Sequence, residues 1–115
     1  METLSLTELG EELLQTARRV KAGRAARTIH GGRDHALRQT LIALAGGEDL
    51  GEHESPGEAT LQVLRGHVRL HTVDRQVWVG HSGDYVIIPP VRHDLSALED
   101  AVVVLSTSMP RPQED

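Results

Sequence analysis

The 115-residue chain contains no cysteine and no phenylalanine, and Trp78 and Tyr85 are its only large aromatic residues. Without cysteine, the chain forms no disulfide, thiolate nucleophile or cysteine-ligated zinc site. The core must therefore be built from valine, leucine, isoleucine and alanine, which suits thin sheets or a small barrel. No apolar run approaches the ~20 residues of a membrane helix, and the acidic, polar N-terminus is not a signal peptide. We therefore expect a soluble, cytoplasmic protein with no membrane partner.

A basic face is also lacking, because 12 Lys and Arg residues stand against 17 Asp and Glu residues, for a net charge of −5. This balance argues against a nucleic-acid partner. The length predicts one domain that buries about two-thirds of its unfolded surface. What the chain does have is seven histidines, the side chain most often used as a metal ligand.

Residues 5–22 have the pattern of one amphipathic helix. Ser5 and Glu8 fit a capping box at its start, and Gly23 is a natural stop. The predicted apolar stripe, which must pack on the sheet or on a partner subunit, is Leu6, Leu9, Leu13, Ala17 and Val20. We therefore divide the chain into an N-terminal helix at 1–23, a β domain at 24–108 and a disordered tail at 109–115.

From Arg24 onward the pattern predicts six to eight short strands at intervals of about 8 to 12 residues, as in an all-β barrel or jelly roll. The stretch Arg65-Gly66 predicts a two-residue hairpin turn, because the hydrophobic phase is odd before it and even after it. Gln62 and Arg69 then point outward. The predicted inward set is Leu61, Val63, Val68 and Leu70.

Two spaced motifs resemble those of the cupin superfamily. The first is Gly47, five residues, His53, one residue, Ser55, three residues, Ala59, six residues and Gly66. The second is Gly83, five residues and Pro89, followed by His93, and 16 residues separate the two motifs. The resemblance covers roughly residues 37–107 and implies an all-β cupin-type jelly-roll barrel of the small single-domain kind.

In metal-binding cupins, the first motif supplies two histidines and a glutamate, and the second supplies a third histidine. Together they hold a divalent ion, commonly Fe, Mn, Ni or Zn. Carried over by position, His53 and His93 are kept, whereas Ser55 and Ala59 replace the other histidine and the glutamate. Two imidazoles alone leave an ion mostly hydrated, so we expect weak metal binding or none. Glu58 is a candidate third ligand, although a regular strand places it on the face opposite Ala59.

The predicted ligand pocket comprises His53, Ser55, Ala59, His93 and Gln39. Either Gln39 or its neighbour Arg38 is expected to face the interior, where an arginine could hold an anion. The two glutamates beside His53 are expected to point away from it. The remaining histidines are expected at the surface, namely His30, His35, His67, His71 and His81.

The resulting hypothesis is a small cupin that binds a small polar or anionic molecule and carries a degenerate metal site. The alternative is a metal-dependent dioxygenase or isomerase that uses His53 and His93 with Glu58 or His35 as a third ligand. A metal-free acid–base enzyme, as in the sugar epimerase branch of the superfamily, ranks third. A homodimer is expected, because strand edges and the helix stripe need cover and small cupins usually pair. Every version requires His53 and His93 to lie side by side.

Overall fold

A computed structural model describes residues 1–54 and 57–108, which form one helix followed by eight strands. Within these two ranges, no helix is both long enough and apolar enough to cross a membrane. The predicted pocket residue Ser55 and the predicted tail at 109–115 lie outside the described residues. The elements are α1 (Leu6–Arg19), β1 (Arg24–His30), β2 (Leu37–Leu44), β3 (Ala59–Arg65), β4 (His67–Thr72), β5 (Val77–His81), β6 (Tyr85–Ile87), β7 (His93–Ala97) and β8 (Ala101–Ser108).

The strands form two sheets that face each other. One sheet has the order β1-β2-β8-β3-β6 and the other has the order β5-β4-β7, and the described strand pairs are antiparallel. This arrangement confirms the predicted all-β, jelly-roll-like fold, although the sheets do not close into a strict ring. The space between the sheets is filled by aliphatic side chains from both of them, centred on Leu61, Val63, Val68, Leu95 and Val103.

The predicted hairpin at Arg65-Gly66 is wrong, because the strands on its two sides belong to different sheets. β3 pairs with β8 and β6, whereas β4 pairs with β5 and β7. The predicted burial is confirmed, since Leu61, Val63, Val68 and Leu70 are at most 3% exposed. Side-chain alternation determines which residues face the core, but it leaves open which strand lies alongside.

Gly66 is the point at which the chain leaves one sheet for the other. Its φ of +92° lies in the left-handed region that favours glycine. A Cβ placed at this position would lie 2.1 Å from the carbonyl oxygen of Asp100. The crossing therefore requires glycine for two reasons, the backbone angle and the close approach of the loop before β8.

We expect Gly66→Ala to destabilise the fold more than Gly47→Ala. Gly47 has nearly the same φ, +91°, but no atom in the part of the chain that the structure describes lies within 4 Å of a Cβ built there. The control should therefore show only the backbone cost of about 1–2 kcal/mol, and Gly66→Ala should exceed it. Urea denaturation measures both. Equal losses would show that the contact with Asp100 is not a constraint.

The helix begins as predicted and ends earlier. The backbone N–H of Glu8 donates to Ser5 Oγ at 3.2 Å, so Ser5 caps the first turn. The helix ends at Arg19, because Val20 adopts an extended conformation with φ −89° and ψ 149°. Gly23 then turns the chain with a φ of +66° and leads into β1.

The helix packs on the outer face of the five-stranded sheet, with a stripe partly different from the predicted one. Leu9 and Ala17 are buried as predicted, but Leu14 rather than Leu13 is the fully buried leucine, and Val20 is exposed. The stripe contacts the sheet residues Leu41, Ala43, Val102 and Val104. The chain therefore covers the helix with its own sheet, and the helix supplies no argument for a partner subunit.

Truncating the centre of this stripe should be costly. We expect Leu14→Ala to lower the free energy of unfolding by about 2–5 kcal/mol, since it removes a fully buried side chain and leaves a cavity. Leu4→Ala is the matched control, because Leu4 is exposed ahead of the helix and should change stability by less than about 0.5 kcal/mol. Similar losses in both variants, measured by urea denaturation, would contradict this account of the packing.

Candidate functional site

The structure brings His53 and His93 together, which confirms their predicted adjacency. They form an antiparallel bridge in which each backbone N–H donates to the other residue's carbonyl, at 2.9 and 3.0 Å. Their rings meet edge to face, with centroids 4.4 Å apart and planes at 66°. His93 is the first residue of β7, and His53 belongs to the connection between β2 and β3.

Backbone carbonyls hold both rings in one tautomer. His53 Nδ1 lies 2.9 Å from the carbonyl oxygen of Gly51, and His93 Nδ1 lies 2.8 Å from that of Val91. Because a carbonyl oxygen only accepts hydrogen bonds, each Nδ1 must carry the proton. In the neutral rings the Nε2 atoms therefore keep a free lone pair, which can accept a hydrogen bond or bind a metal ion.

The histidines border an apolar interior with almost no free space. His93 is only 2% exposed, whereas His53 is half-buried. The small space beside them has a volume of about 10 Å³, near the minimum for a single water molecule. Its other lining residues are Ile42, Leu50, Leu61, Leu70, Ile88, Leu95 and Leu105. The expectation of a ligand inside the barrel is therefore not supported, and His53 is the more exposed member of the pair.

The two glutamates beside His53 are exposed, as predicted. Arg92 Nε lies 3.4 Å from a carboxylate oxygen of Glu52, and Arg92 Nη1 lies 3.8 Å from one of Glu54. Exposed ion pairs contribute little stability individually. Their effect here is to tie the segment around His53 to the residue that precedes His93.

Glu58 does not join the histidines. Ala59 faces the interior and is buried, whereas Glu58 is exposed, and its backbone N–H donates to Ser108 Oγ at 3.0 Å. Within residues 1–54 and 57–108, no group of three His, Cys, Asp or Glu side chains is arranged to hold a metal ion. The proposed third ligands Glu58 and His35 are thus not assembled with His53 and His93.

Gln39 faces away from the interior, so its prediction as a pocket residue is wrong. Its Nε2 donates to Ser106 Oγ at 3.1 Å. Alternation along β2 places it on the side of Leu41 and Ala43, which contact the helix. The hydrophobic pattern could not distinguish the two faces of β2, since both carry apolar residues. One face packs on the helix and the other packs on the facing sheet. Arg38 lies on the interior side, at the exposed end of the strand.

The other five histidines are only partly as predicted. His30, His35 and His81 are exposed, but His67 and His71 are half-buried. The ring of His67 stacks on that of His81, with centroids 4.1 Å apart. The rings of His30 and His35 lie 4.9 Å apart at the β1–β2 turn, where they form a separate pair.

Sequence reasoning missed Asp94, which is buried although it lies on the face of β7 opposite His93. Its side chain is covered by the segment that precedes His53, and its Oδ1 accepts the backbone N–H of Gly51 at 2.9 Å. The available signal was a carboxylate directly after a candidate site histidine within a strand. Nothing in the spacing indicated that the chain would fold over it.

Two carboxyl groups, those of Asp100 and Asp74, have clearly lowered pKa values. The backbone N–H of Gly46, followed by the side chain of Arg18, lowers the pKa of Asp100 below its usual 3.8. Its stabilising effect is therefore complete above the usual pKa and is lost as pH falls through the lower folded value. Hydrogen bonds from the side chains of Thr72 and Gln76 lower the pKa of Asp74. Both lowered pKa values favour the folded state above the usual carboxyl pKa.

Comparison with known proteins decides the family. The sequence model of the cupin domain matches residues 40–108, which is more than half of the chain. This protein belongs to the cupin family. No curated protein gives a significant match to the chain.

Solved structures show the same fold. A conserved protein of unknown function from Streptococcus pyogenes (SPY1581) has a TM-score of 0.76 and 25% identity, over 96% of this chain and 90% of that one. Protein NMB1881 from Neisseria meningitidis has a TM-score of 0.69 and 20% identity, over 94% and 100%. A cupin superfamily protein from Desulfitobacterium hafniense has a TM-score of 0.65 and 17% identity, over 75% and 79%.

The donor set of this cupin does not fit a tightly held metal ion. Two Nε2 atoms are available, which is half of the three-histidine, one-carboxylate set that the family resemblance implies. Ala59 has no donor at the carboxylate position, and no third acidic or histidine ligand joins the pair in the described ranges. An ion bound by two imidazoles would keep most of its water, so its affinity should be low.

Proposed function

We propose that this cupin binds a small hydroxylated or carboxylated molecule at the rim of its barrel, without a resident metal ion. The observation that carries the proposal is the shared tautomer of His53 and His93, whose rings are in contact. It leaves the Nε2 atom of each ring without a backbone-carbonyl partner among residues 1–54 and 57–108. A hydroxyl group of a ligand can donate to such a nitrogen. The half-burial of His53 makes this interaction stronger than one in bulk water.

A positive charge on the same side of the sheet favours a ligand that also carries a carboxylate. Leu105 lines the space beside the histidines and pairs with Thr40 on β2. The next inward-facing pair toward the strand end is Arg38 with Thr107. The inner face therefore changes from aliphatic to polar and cationic beyond the histidine level, and an arginine can bind a carboxylate with two hydrogen bonds.

Titration with tartrate, followed by amide NMR spectra, tests the proposal. Glycerol and succinate are matched compounds that carry only hydroxyl groups or only carboxylates. We expect the tartrate-induced shifts to cluster at Gly51, His53 and His93. His53→Ala should weaken binding roughly tenfold, since one hydrogen bond to a partly buried group contributes about 1.4 kcal/mol. His35→Ala is the control, because His35 is exposed and its ring pairs with that of His30 at the β1–β2 turn.

The same experiment separates this proposal from a metal-dependent enzyme. Binding that survives EDTA in protein prepared without a histidine tag supports the metal-free site. Stoichiometric Fe, Mn, Ni or Zn that is lost in His53→Ala would instead establish the metal-dependent alternative. Shifts confined to other surfaces, or equal binding by His53→Ala, would refute a role for the histidine pair.

The proposal includes a homodimer that uses the outer face of β6. Tyr85 and Ile87 are 59% and 73% exposed on this short edge strand, while Val86 between them turns toward the core. Two such apolar side chains at a sheet edge favour burial against a second copy.

Light scattering of the intact protein tests the dimer. We expect Ile87→Glu to shift a dimer to a monomer, because the carboxylate would lose its water on pairing. Leu98→Glu, at another exposed aliphatic residue, should leave the mass unchanged. A monomeric wild-type protein, or an Ile87→Glu variant that remains dimeric, would exclude this interface.

A further inference from the structure

We infer that Asp94 is a positioning residue, which holds Gly51 so that the Gly51 carbonyl keeps the proton of His53 on Nδ1. The inference concerns the ligand-free protein and does not depend on the proposed ligand. It is based on a continuous path of contacts. Asp94 Oδ1 accepts the Gly51 N–H at 2.9 Å, and the Gly51 carbonyl oxygen lies 2.9 Å from His53 Nδ1.

Asp94 is built into the structure rather than lying free on its surface. It is 8% exposed, although alternation along β7 turns it away from the interior that His93 and Leu95 face. A carboxylate is rarely buried to this degree without partners. Its Oδ1 is satisfied by Gly51, and its Oδ2 lies 3.9 Å from Nε2 of His71, which faces it from β4.

Gly51 has little else to hold it in place. It has no side chain, it is exposed, and no atom of the described residues lies within 4 Å of a Cβ built on it. Its φ of +92° is a conformation that glycine adopts without strain but also leaves readily. Apart from the contact of its carbonyl with His53, the described residues give Gly51 no further hydrogen bond. The hydrogen bond to Asp94 therefore restrains the orientation of a residue that is otherwise anchored through its chain neighbours Leu50 and Glu52.

The carbonyl of Gly51 determines which nitrogen of His53 can bind a ligand. The proton position on a neutral imidazole follows the hydrogen bond made by the other nitrogen. When the carbonyl accepts from Nδ1, the lone pair is confined to Nε2. If Gly51 rotates, the preference for the Nδ1 proton is lost. Part of the His53 population then carries its proton on Nε2, and a protonated Nε2 can no longer accept a hydrogen bond.

His93 provides an internal comparison. Its Nδ1 is held by the carbonyl of Val91, and the N–H of Val91 donates to the Pro89 carbonyl at 2.8 Å. This support does not involve the Asp94 side chain. A loss of Asp94 that acts through Gly51 should therefore change the tautomer of His53 and leave that of His93 intact.

Nitrogen NMR of the imidazole rings at pH 8, where an ordinary histidine is neutral, tests the inference in the full chain. The wild type should show the Nδ1-protonated pattern at both His53 and His93. In Asp94→Ala, we expect the two ¹⁵N shifts of His53 to move toward each other, as for mixed tautomers, while those of His93 stay in place. Asp94→Asn should retain the wild-type pattern, because its amide oxygen can still accept from Gly51.

Ser96→Ala is the matched control, since Ser96 lies on the same face of β7 two residues further along. It should leave both histidines unchanged. The inference is overturned if His53 in Asp94→Ala keeps the wild-type pattern, if both histidines change together, or if Asp94→Asn behaves like Asp94→Ala. The last result would show that the charge matters and the hydrogen bond to Gly51 does not. If Asp94→Ala fails to fold, a wild-type pattern in Asp94→Asn still supports the inference and a mixed one overturns it.

Discussion

The site depends on the way in which the segment from Gly47 to His53 runs along β7. The N–H of Gly47 donates to the Ala97 carbonyl at 2.8 Å, that of Leu50 to Leu95 at 3.0 Å, and that of His53 to His93 at 2.9 Å. These backbone bonds convert an irregular connection into an additional edge of the three-stranded sheet. They place His53 opposite His93, and they lay Gly51 over the carboxylate of Asp94. Without this docking, His53 would be an ordinary loop residue.

The interior beneath the pair explains why we place the proposed ligand at the rim. Seven leucine and isoleucine side chains surround the space beside the histidines and leave about 10 Å³. The chain contains no phenylalanine, so the burial of these aliphatic side chains supplies much of the stability of the small domain. The same side chains leave no volume for a ligand. Toward the strand end, the polar residues Arg38 and Thr107 form a pair.

The errors of sequence reasoning have one physical origin. Alternation along a strand identifies two faces, but it does not state what covers each face or which strand lies alongside. β2 carries apolar residues on both faces, since one face packs on the helix and the other on the facing sheet. The alternation therefore did not show which face is the interior, and Gln39 was assigned to the wrong one. Likewise, the hydrophobic alternation of β3 and β4 matches that of a hairpin, but at Gly66 the chain crosses from one sheet to the other.

The sequence by itself determined the all-β class, the helix start at Ser5, the buried positions from Leu61 to Leu70, and the retention of His53 and His93 within two spaced motifs. These features follow from local periodicity, capping and motif spacing, which short stretches of chain carry. Only the tertiary structure decided the tautomers of the pair, the filled interior, the place of Gln39 and the burial of Asp94. Each of these depends on contacts between residues distant in the chain, and no local pattern encodes which distant groups will meet.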